Sequence, residues 1–518
     1  MNSMTAWLRR QDFDWRELGV LVLIGVTANI YFLANYSPSI DDELAAVRAG
    51  SEIWIAQGRF TTYLVETLLF PQPSVPFSPY LFLAFTMALT QMLLVRAHGM
   101  LPSWRSHVAY CLFVTYPSWW LIEEFSANVP TTGIGFLLVA IALALQADWP
   151  VHAASRFSRR EFGRLLGTGM LLEFAAGTYQ TMLLLFACGT IGITLCGSIE
   201  ASGPFAWRKA IDRIVYGGIG LILGAVLYFV FNKLALTLSG TSPEYISSFV
   251  NMGNLKAPRW LIGNIALEIW NTYSGAASLF GAAMPASVLA LACAAVAAAR
   301  VRARVALPHL LLFCALLCAP FLLGLLAGPY GLPLRAMVAL PYVIWLCALL
   351  LLNYRRGLLW GLGLATFALF QLQIVNLTSQ YIATATLVQQ QDRFMAFDID
   401  RRIALLREDG EAGKPIWLDT YGYLDLNRVS LFAAAPSGVT RGSFFGWDKG
   451  NIRRIVAYLR VLGFDDVRAV PLETRAALTP EFAQMPVWPK EGSLRRSGNV
   501  YLLKLGTVPD HEHGGKKR

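Results

Sequence analysis

Residues 18–43 read LGVLVLIGVTANIYFLANYSPSIDDE, an apolar run closed by three successive carboxylates. As a helix, the part from Leu18 to Ala34 is long enough to cross the hydrocarbon of a bilayer. It delivers Asp41, Asp42 and Glu43 to a membrane surface. The chain then continues through Arg48, Trp54 and Gly58-Arg59-Phe60. Carboxylates beside lipid are costly unless they are solvated, paired or used.

The remaining composition is that of a polytopic α-helical membrane protein with a polar remainder. Of 518 residues, 55% are hydrophobic and 15% charged, and the mean hydropathy is +0.49. A soluble chain carries about 25% charged residues. The net charge of +10 is no nucleic-acid signal, because much of the Lys/Arg excess lies in short loops between apolar segments. Asn-Tyr-Ser-Pro follows the first apolar segment where a cleavage site would need small residues, so that segment reads as a retained anchor. The seven cysteines fall in or at the ends of apolar segments without His or carboxylate companions. That supports neither a zinc site nor a disulfide framework.

Loop charges order the spans. The basic residues before 18 place the N-terminus inside, and segment 18–35 exits. An outer loop, 36–77, holds an amphipathic stretch from Glu43 to Ala56 expected to lie as a helix on the surface. Segments 78–96, 106–121, 129–146, 163–178, 181–197 and 214–236 follow. A long outer loop, 237–283, precedes segments 284–299, 306–327, 336–352 and 357–376. The path has about eleven spans and ends outside. Every loop assigned inside carries at least two Arg/Lys near a span end, whereas the outer turns at Glu123 and Gly177 carry none.

Composition shifts again near 390. A charged amphipathic helix, 392–408, leads into an apolar strand at Pro415–Leu418. A helix carrying Ile452, Ile455, Val456 and Leu459 and strands near 464–470 and 499–503 complete a small α/β pattern. The expected division is a transmembrane domain over 1–385, an extracytoplasmic α/β domain over 390–508 and a disordered tail over 509–518.

The chemistry-bearing residues cluster at outer span ends. In Asp41-Asp42-Glu43, one acid suffices to cap the surface helix. The others are then available as a general base for an acceptor hydroxyl, or to hold acceptor hydroxyls or a divalent cation such as Mg or Mn. Arg48 and Arg59 read either as interfacial salt-bridging residues or as holders of a phosphate leaving group. Arg335, after the Gly328–Pro333 turn, has the same claim, since an outer arginine at a span end runs against the positive-inside bias. Glu123 and Glu124 read as a solvated turn, or as acids pairing with arginine, metal or sugar hydroxyls. Glu173, in an apolar span about one and a half turns before Tyr179 and Gln180, is expected to line a cavity. The six histidines have no ligand spacing, and no Walker loop or dinucleotide fingerprint is present. A sugar substrate would therefore arrive on a lipid.

The pattern Asp41-Asp42, Arg48, Trp54 and Gly58-Arg59 resembles the first-loop signature of the glucosyltransferases typified by the serotype-converting phage Gtr type II proteins. Met485-Pro486-Val487-Trp488-Pro489, Gly492-Ser493 and Asn499-Val500-Tyr501-Leu502-Leu503-Lys504 are similar to that family's closing pattern. The resemblance implies a GT-C-type membrane glycosyltransferase of the bacterial inner membrane with a periplasmic C-terminal domain. Its implied donor is a polyprenyl-phosphate-linked sugar, its acceptor a polysaccharide or lipid-linked glycan such as O-antigen, and its base Asp42 or Asp41, with Asp42 preferred. Two rivals remain. A flippase of lipid-linked sugars would carry charges mid-span and show related halves. A polysaccharide polymerase or ligase would carry its decisive arginines and histidines in a large late outer loop, and the 237–283 loop has Lys256 and Arg259 but no histidine.

Overall fold

In the computed structural model, Asp14 opens the first helix by accepting the Arg16 amide at 2.8 Å. The structure describes residues 14–35, 38–47, 50–71, 77–147, 159–200, 205–242, 252–285, 287–288, 291–292, 295, 306–329, 331–353, 357–408, 411, 413–424, 442–510 and 513. The first helix, α1 (Trp15–Ala28), ends where the Asn29 side chain donates back to the Gly25 carbonyl at 2.9 Å. Helix resumes at once over Ile30–Ala34. Gly25 sits where α1 touches its neighbour, since a Cβ there would lie 3.0 Å from that of Ala84.

The stretch expected as the first outer loop forms α2 (Asp42–Val47), a short turn at Ile53–Ala56, and α3 (Phe60–Leu68). The bundle continues with α4 (Ser78–Ala97), α5 (Trp104–Thr115), α6 (Pro117–Glu123), α7 (Val129–Ala147), α8 (Arg159–Thr178), α9 (Met182–Glu200) and α10 (Trp207–Ser239). After these come α11 (Pro258–Tyr273), α12 (Ala306–Cys318), α13 (Ala339–Asn353) and α14 (Gly357–Leu406). Helix α13 is buried on nearly every side, as its uninterrupted apolar sequence requires. Helix α10 instead exposes Ile222, Phe229 and Leu238, as a lipid-facing helix does.

Five helices among the described residues are long and apolar enough to cross a membrane, with shorter apolar ones at Leu307–Phe321 and Ala339–Asn353. The expected segment 106–121 is broken because Pro117 forces Tyr116 into extended backbone. Segment 284–299 lies largely outside the described residues.

Side-chain contacts sort the helix ends into two groups. Glu17 pairs with Arg96 at 3.5 Å, Gln146 Nε2 donates to the Arg213 carbonyl at 3.1 Å, and Asn353 Nδ2 reaches Met100 Sδ at 3.6 Å. At the opposite end, the Tyr80 hydroxyl donates to the Glu123 carbonyl at 2.6 Å and Ser126 meets Asp42. The first group holds the arginine-rich ends and the second holds the acids.

Helix α14 crosses the expected boundary near 385–390 without a break. Its 50 residues extend about 75 Å, well beyond a bilayer's hydrocarbon. No Gly or Pro interrupts it after Gly363. The expected separate helix 392–408 is thus the far end of the last apolar segment. Its Met395, Ala396, Ile399 and Ile403 pack into the core of a four-stranded sheet. That sheet has the order β2-β1-β4-β3, with β1 (Ile416–Tyr421), β2 (Val467–Ala469), β3 (Leu494–Ser497) and β4 (Val500–Lys504). β1 runs parallel to β2 and β4, and β3 pairs antiparallel with β4 across Gly498. Strand β3 was not anticipated. Helices α15 (Ile452–Val461) and α16 (Leu472–Leu478) flank the sheet.

Part of the expected disordered tail falls among the described residues. Asp510 and His513 are buried beside Asp419 and Arg475. Arg475 Nε donates to Asp419 Oδ1 at 2.6 Å and Nη2 to Asp510 Oδ2 at 3.2 Å. Arg475→Ala removes the guanidinium set between two buried carboxylates, so it destabilises this unit by about 3–5 kcal/mol. Thermal melting checks this, and an unchanged melting temperature would contradict the pairing.

Candidate active site

The three acids after the first apolar segment point three ways, because Asp41 stands in a left-handed turn just ahead of the helix that Asp42 and Glu43 begin. Asp41 adopts a left-handed backbone, φ 72°, a conformation Asp tolerates better than most side chains. Its carboxylate lines a pocket. Asp42 turns to the neighbouring loop: Oδ1 accepts from the Ser126 amide at 3.0 Å and hydroxyl at 2.7 Å, and Oδ2 from the Ser39 amide at 3.1 Å. Glu43 is fully buried and meets Arg454 of α15 at 2.5 Å.

The pocket is lined by Asp41, Trp54, Gln57, Arg59, Ile122, Phe125, Asn128, Thr132, Tyr179, Arg335 and Val338, and encloses about 500 Å³ with its open mouth included. Arg59 is placed by the turn before it. Gly58 takes φ 70°, and its carbonyl accepts from the Tyr228 hydroxyl at 2.9 Å. Gln180 Nε2 donates to the Gln57 carbonyl at 3.0 Å. The guanidinium then lies 4.4 Å from the Tyr179 ring centre and 5.8 Å from that of Trp54. Nη1 donates weakly to Asn128 Oδ1 at 3.4 Å, while the buried Nε has no hydrogen-bond partner among the described residues. Arg335, on a 3₁₀ turn at Leu334–Ala336, lies 5.2 Å from the Phe125 ring centre. The pocket therefore holds two guanidinium groups against aromatic faces, with one carboxylate on its wall. This suits an anion with a hydroxyl-bearing partner.

The other expected site residues are not among those lining the pocket. Glu123 and Glu124 are buried, not solvated. Burial pushes Glu123 up to about 8 and Glu124 well above the usual carboxylate range, an effect Arg335 partly offsets at Glu124. Glu173 is buried but is not among the lining residues, and its Oε1 has no hydrogen-bond partner among the described residues. Gln180 supports the 57–58 turn instead of lining the pocket. Asp42 and Glu43 are also absent from the wall. Arg48 lies outside the described residues. Among the described residues, no three His, Cys, Asp or Glu side chains are grouped to hold a metal ion.

Burial outweighs the three hydrogen bonds at Asp42 and pushes its carboxyl up to about 7. A carboxyl raised on folding favours the folded state fully below its unfolded value near 4, and this contribution is lost as pH rises through 7. Wild-type protein should therefore lose at least about 2 °C of melting temperature between pH 5 and 8 relative to Asp42→Asn. Parallel pH profiles for the two proteins would refute the shift.

Sequence reasoning missed Phe125, Asn128 and Thr132. All three sit in or just after the turn already marked by Glu123 and Glu124, and aromatic and amide neighbours of paired acids were a usable signal. Every lining residue falls within residues 30–352, the stretch matched by the family model described as glucosyl transferase GtrII. Neither the curated proteins nor the solved structures gave a match. The family match covers more than half the chain, and its start falls just ahead of the acidic turn. The chain belongs to the glucosyl transferase GtrII family.

Proposed function

We propose that this glucosyltransferase moves a hexose, glucose by its family, from polyprenyl phosphate to a glycan acceptor at the outer face of the bacterial inner membrane. The observation that carries this reading is the pairing of Arg59 and Arg335 with Asp41 on one pocket wall. The acceptor hydroxyl attacks the sugar's anomeric carbon. An oxygen–carbon bond forms, the carbon–oxygen bond to phosphate breaks, and the electron pair leaves on the lipid phosphate. Asp41 takes the hydroxyl proton, and the two guanidinium groups meet the charge that grows on the phosphate.

Sidedness rests on charge. The helix ends opposite the pocket carry the arginine-rich loops, so the pocket end is read as periplasmic. The sheet-bearing C-terminal part is read as lying on the same side, because Arg454 reaches the acidic turn. A surface polysaccharide such as O-antigen is the acceptor class available there.

The test is purified protein in lipid vesicles offered a panel of polyprenyl-phosphate sugars with glycolipid from the expressing cell's membranes. Release of polyprenyl phosphate from the glucose-bearing donor supports the reading. No release from any donor would overturn it.

A further inference from the structure

Arg454 lies outside the stretch that matches the family, yet it ends on the acidic turn. Its Nη2 pairs with Asp41 Oδ1 at 2.8 Å, its Nη1 with Glu43 Oε1 at 2.5 Å and its Nε with Asp448 Oδ2 at 2.5 Å. All three guanidinium nitrogens thus meet carboxylates, and the side chain is 11% exposed. The group is poorly placed to bind a substrate anion and well placed to fix Asp41.

Asp41 needs fixing. Its left-handed backbone is a conformation that persists where the surroundings determine it, and its side chain is 47% exposed. Glu43 lies two residues on, so without the cation the two carboxylates would repel. The approach of Arg454 is itself built with care. Asp448 and Lys449 are left-handed, Gly450 follows at φ 82°, and Asn451 caps α15 by accepting the Arg453 amide at 3.0 Å. These turns set the first turn of α15, and Arg454 on it, against α2.

We propose that Arg454 is a positioning residue for sugar transfer. Through it the C-terminal sheet-bearing part completes a site otherwise built by the bundle. The ion pair occupies Oδ1 and presents Oδ2 of Asp41 to the acceptor hydroxyl. This inference rests on the reading of Asp41 as the base.

The test uses full-length protein in vesicles with polyprenyl-phosphate glucose and membrane glycolipid. Arg454→Ala should lower kcat about 10- to 100-fold, the range for a misplaced reacting group. The donor KM should change by less than about twofold, because Arg59 and Arg335 are untouched. Arg454→Lys, or methylguanidinium added to Arg454→Ala, should recover part of the loss. Because Arg454→Ala leaves Glu43 buried and unpaired, the same measurement is made on Arg454→Ala/Glu43→Gln against Glu43→Gln. In Asp41→Asn protein, removing Arg454 should change the residual rate by less than about twofold.

Undiminished kcat in the folded double variant would overturn the inference. So would a loss that neither lysine nor methylguanidinium recovers. Wild-type turnover in Asp41→Asn would instead sink the base assignment itself, whatever Arg454 does.

Discussion

On the proposed assignment, Asp41→Asn protein should fold, keep its donor affinity and turn over lipid-linked glucose about 10²- to 10⁴-fold more slowly than wild type, the range for loss of a general base. Asparagine preserves shape and one acceptor oxygen, so the acidic turn survives. What should disappear is the proposed ability to take the acceptor proton as the sugar–oxygen bond forms. Asp42→Asn is the matched control. Its oxygens already accept from Ser126 and Ser39, and it does not line the pocket. Its effect should stay within about tenfold, as expected for a group that only shapes the wall. Steady-state rates of the two variants in vesicles check this, and a greater loss in Asp42→Asn would reverse the assignment.

The second large effect is expected at Arg59. Arg59→Ala removes a pocket cation proposed to meet the leaving group, and a loss of about 10²- to 10³-fold in turnover is the usual scale for a transition-state charge donor. Arg59→Lys should recover little. The guanidinium lies over the Tyr179 ring and within reach of the Trp54 ring, and a lysine ammonium lacks the planar fork that stacks there and can bind phosphate bidentately. A lysine variant with near-wild-type turnover would show that only net charge matters. Arg335→Ala should produce a smaller loss, since Arg59 remains.

Much of this site was legible because a membrane chain has few places to put charge. Apolar runs fix the span ends, arginines fix their sides, and Asp41, Arg59, Tyr179 and Arg335 then fall at one end of the bundle. The choice between Asp41 and Asp42 was not legible. Asp41 stands in a left-handed turn and Asp42 opens a helix, and composition carries no information on which of the two neighbours faces the pocket. Glu123, Glu124 and Glu173 were recognised as costly acids, but their burial away from the pocket lining depends on packing that no local pattern encodes. Arg454 lay beyond reach for a different reason: 413 residues separate it from its partner Asp41, and nothing near it distinguishes it from Arg453. The boundary near 385–390 was drawn at a change in composition, whereas α14 obeys only its backbone, which meets no helix breaker there.

The most direct test is a density map of Asp41→Asn protein in lipid with polyprenyl-phosphate glucose bound. The donor phosphate should lie within hydrogen-bond distance of both Arg59 and Arg335, with the sugar's anomeric carbon facing the residue 41 side chain. A phosphate seated at the opposite end of the bundle, or touching neither arginine, would contradict the account.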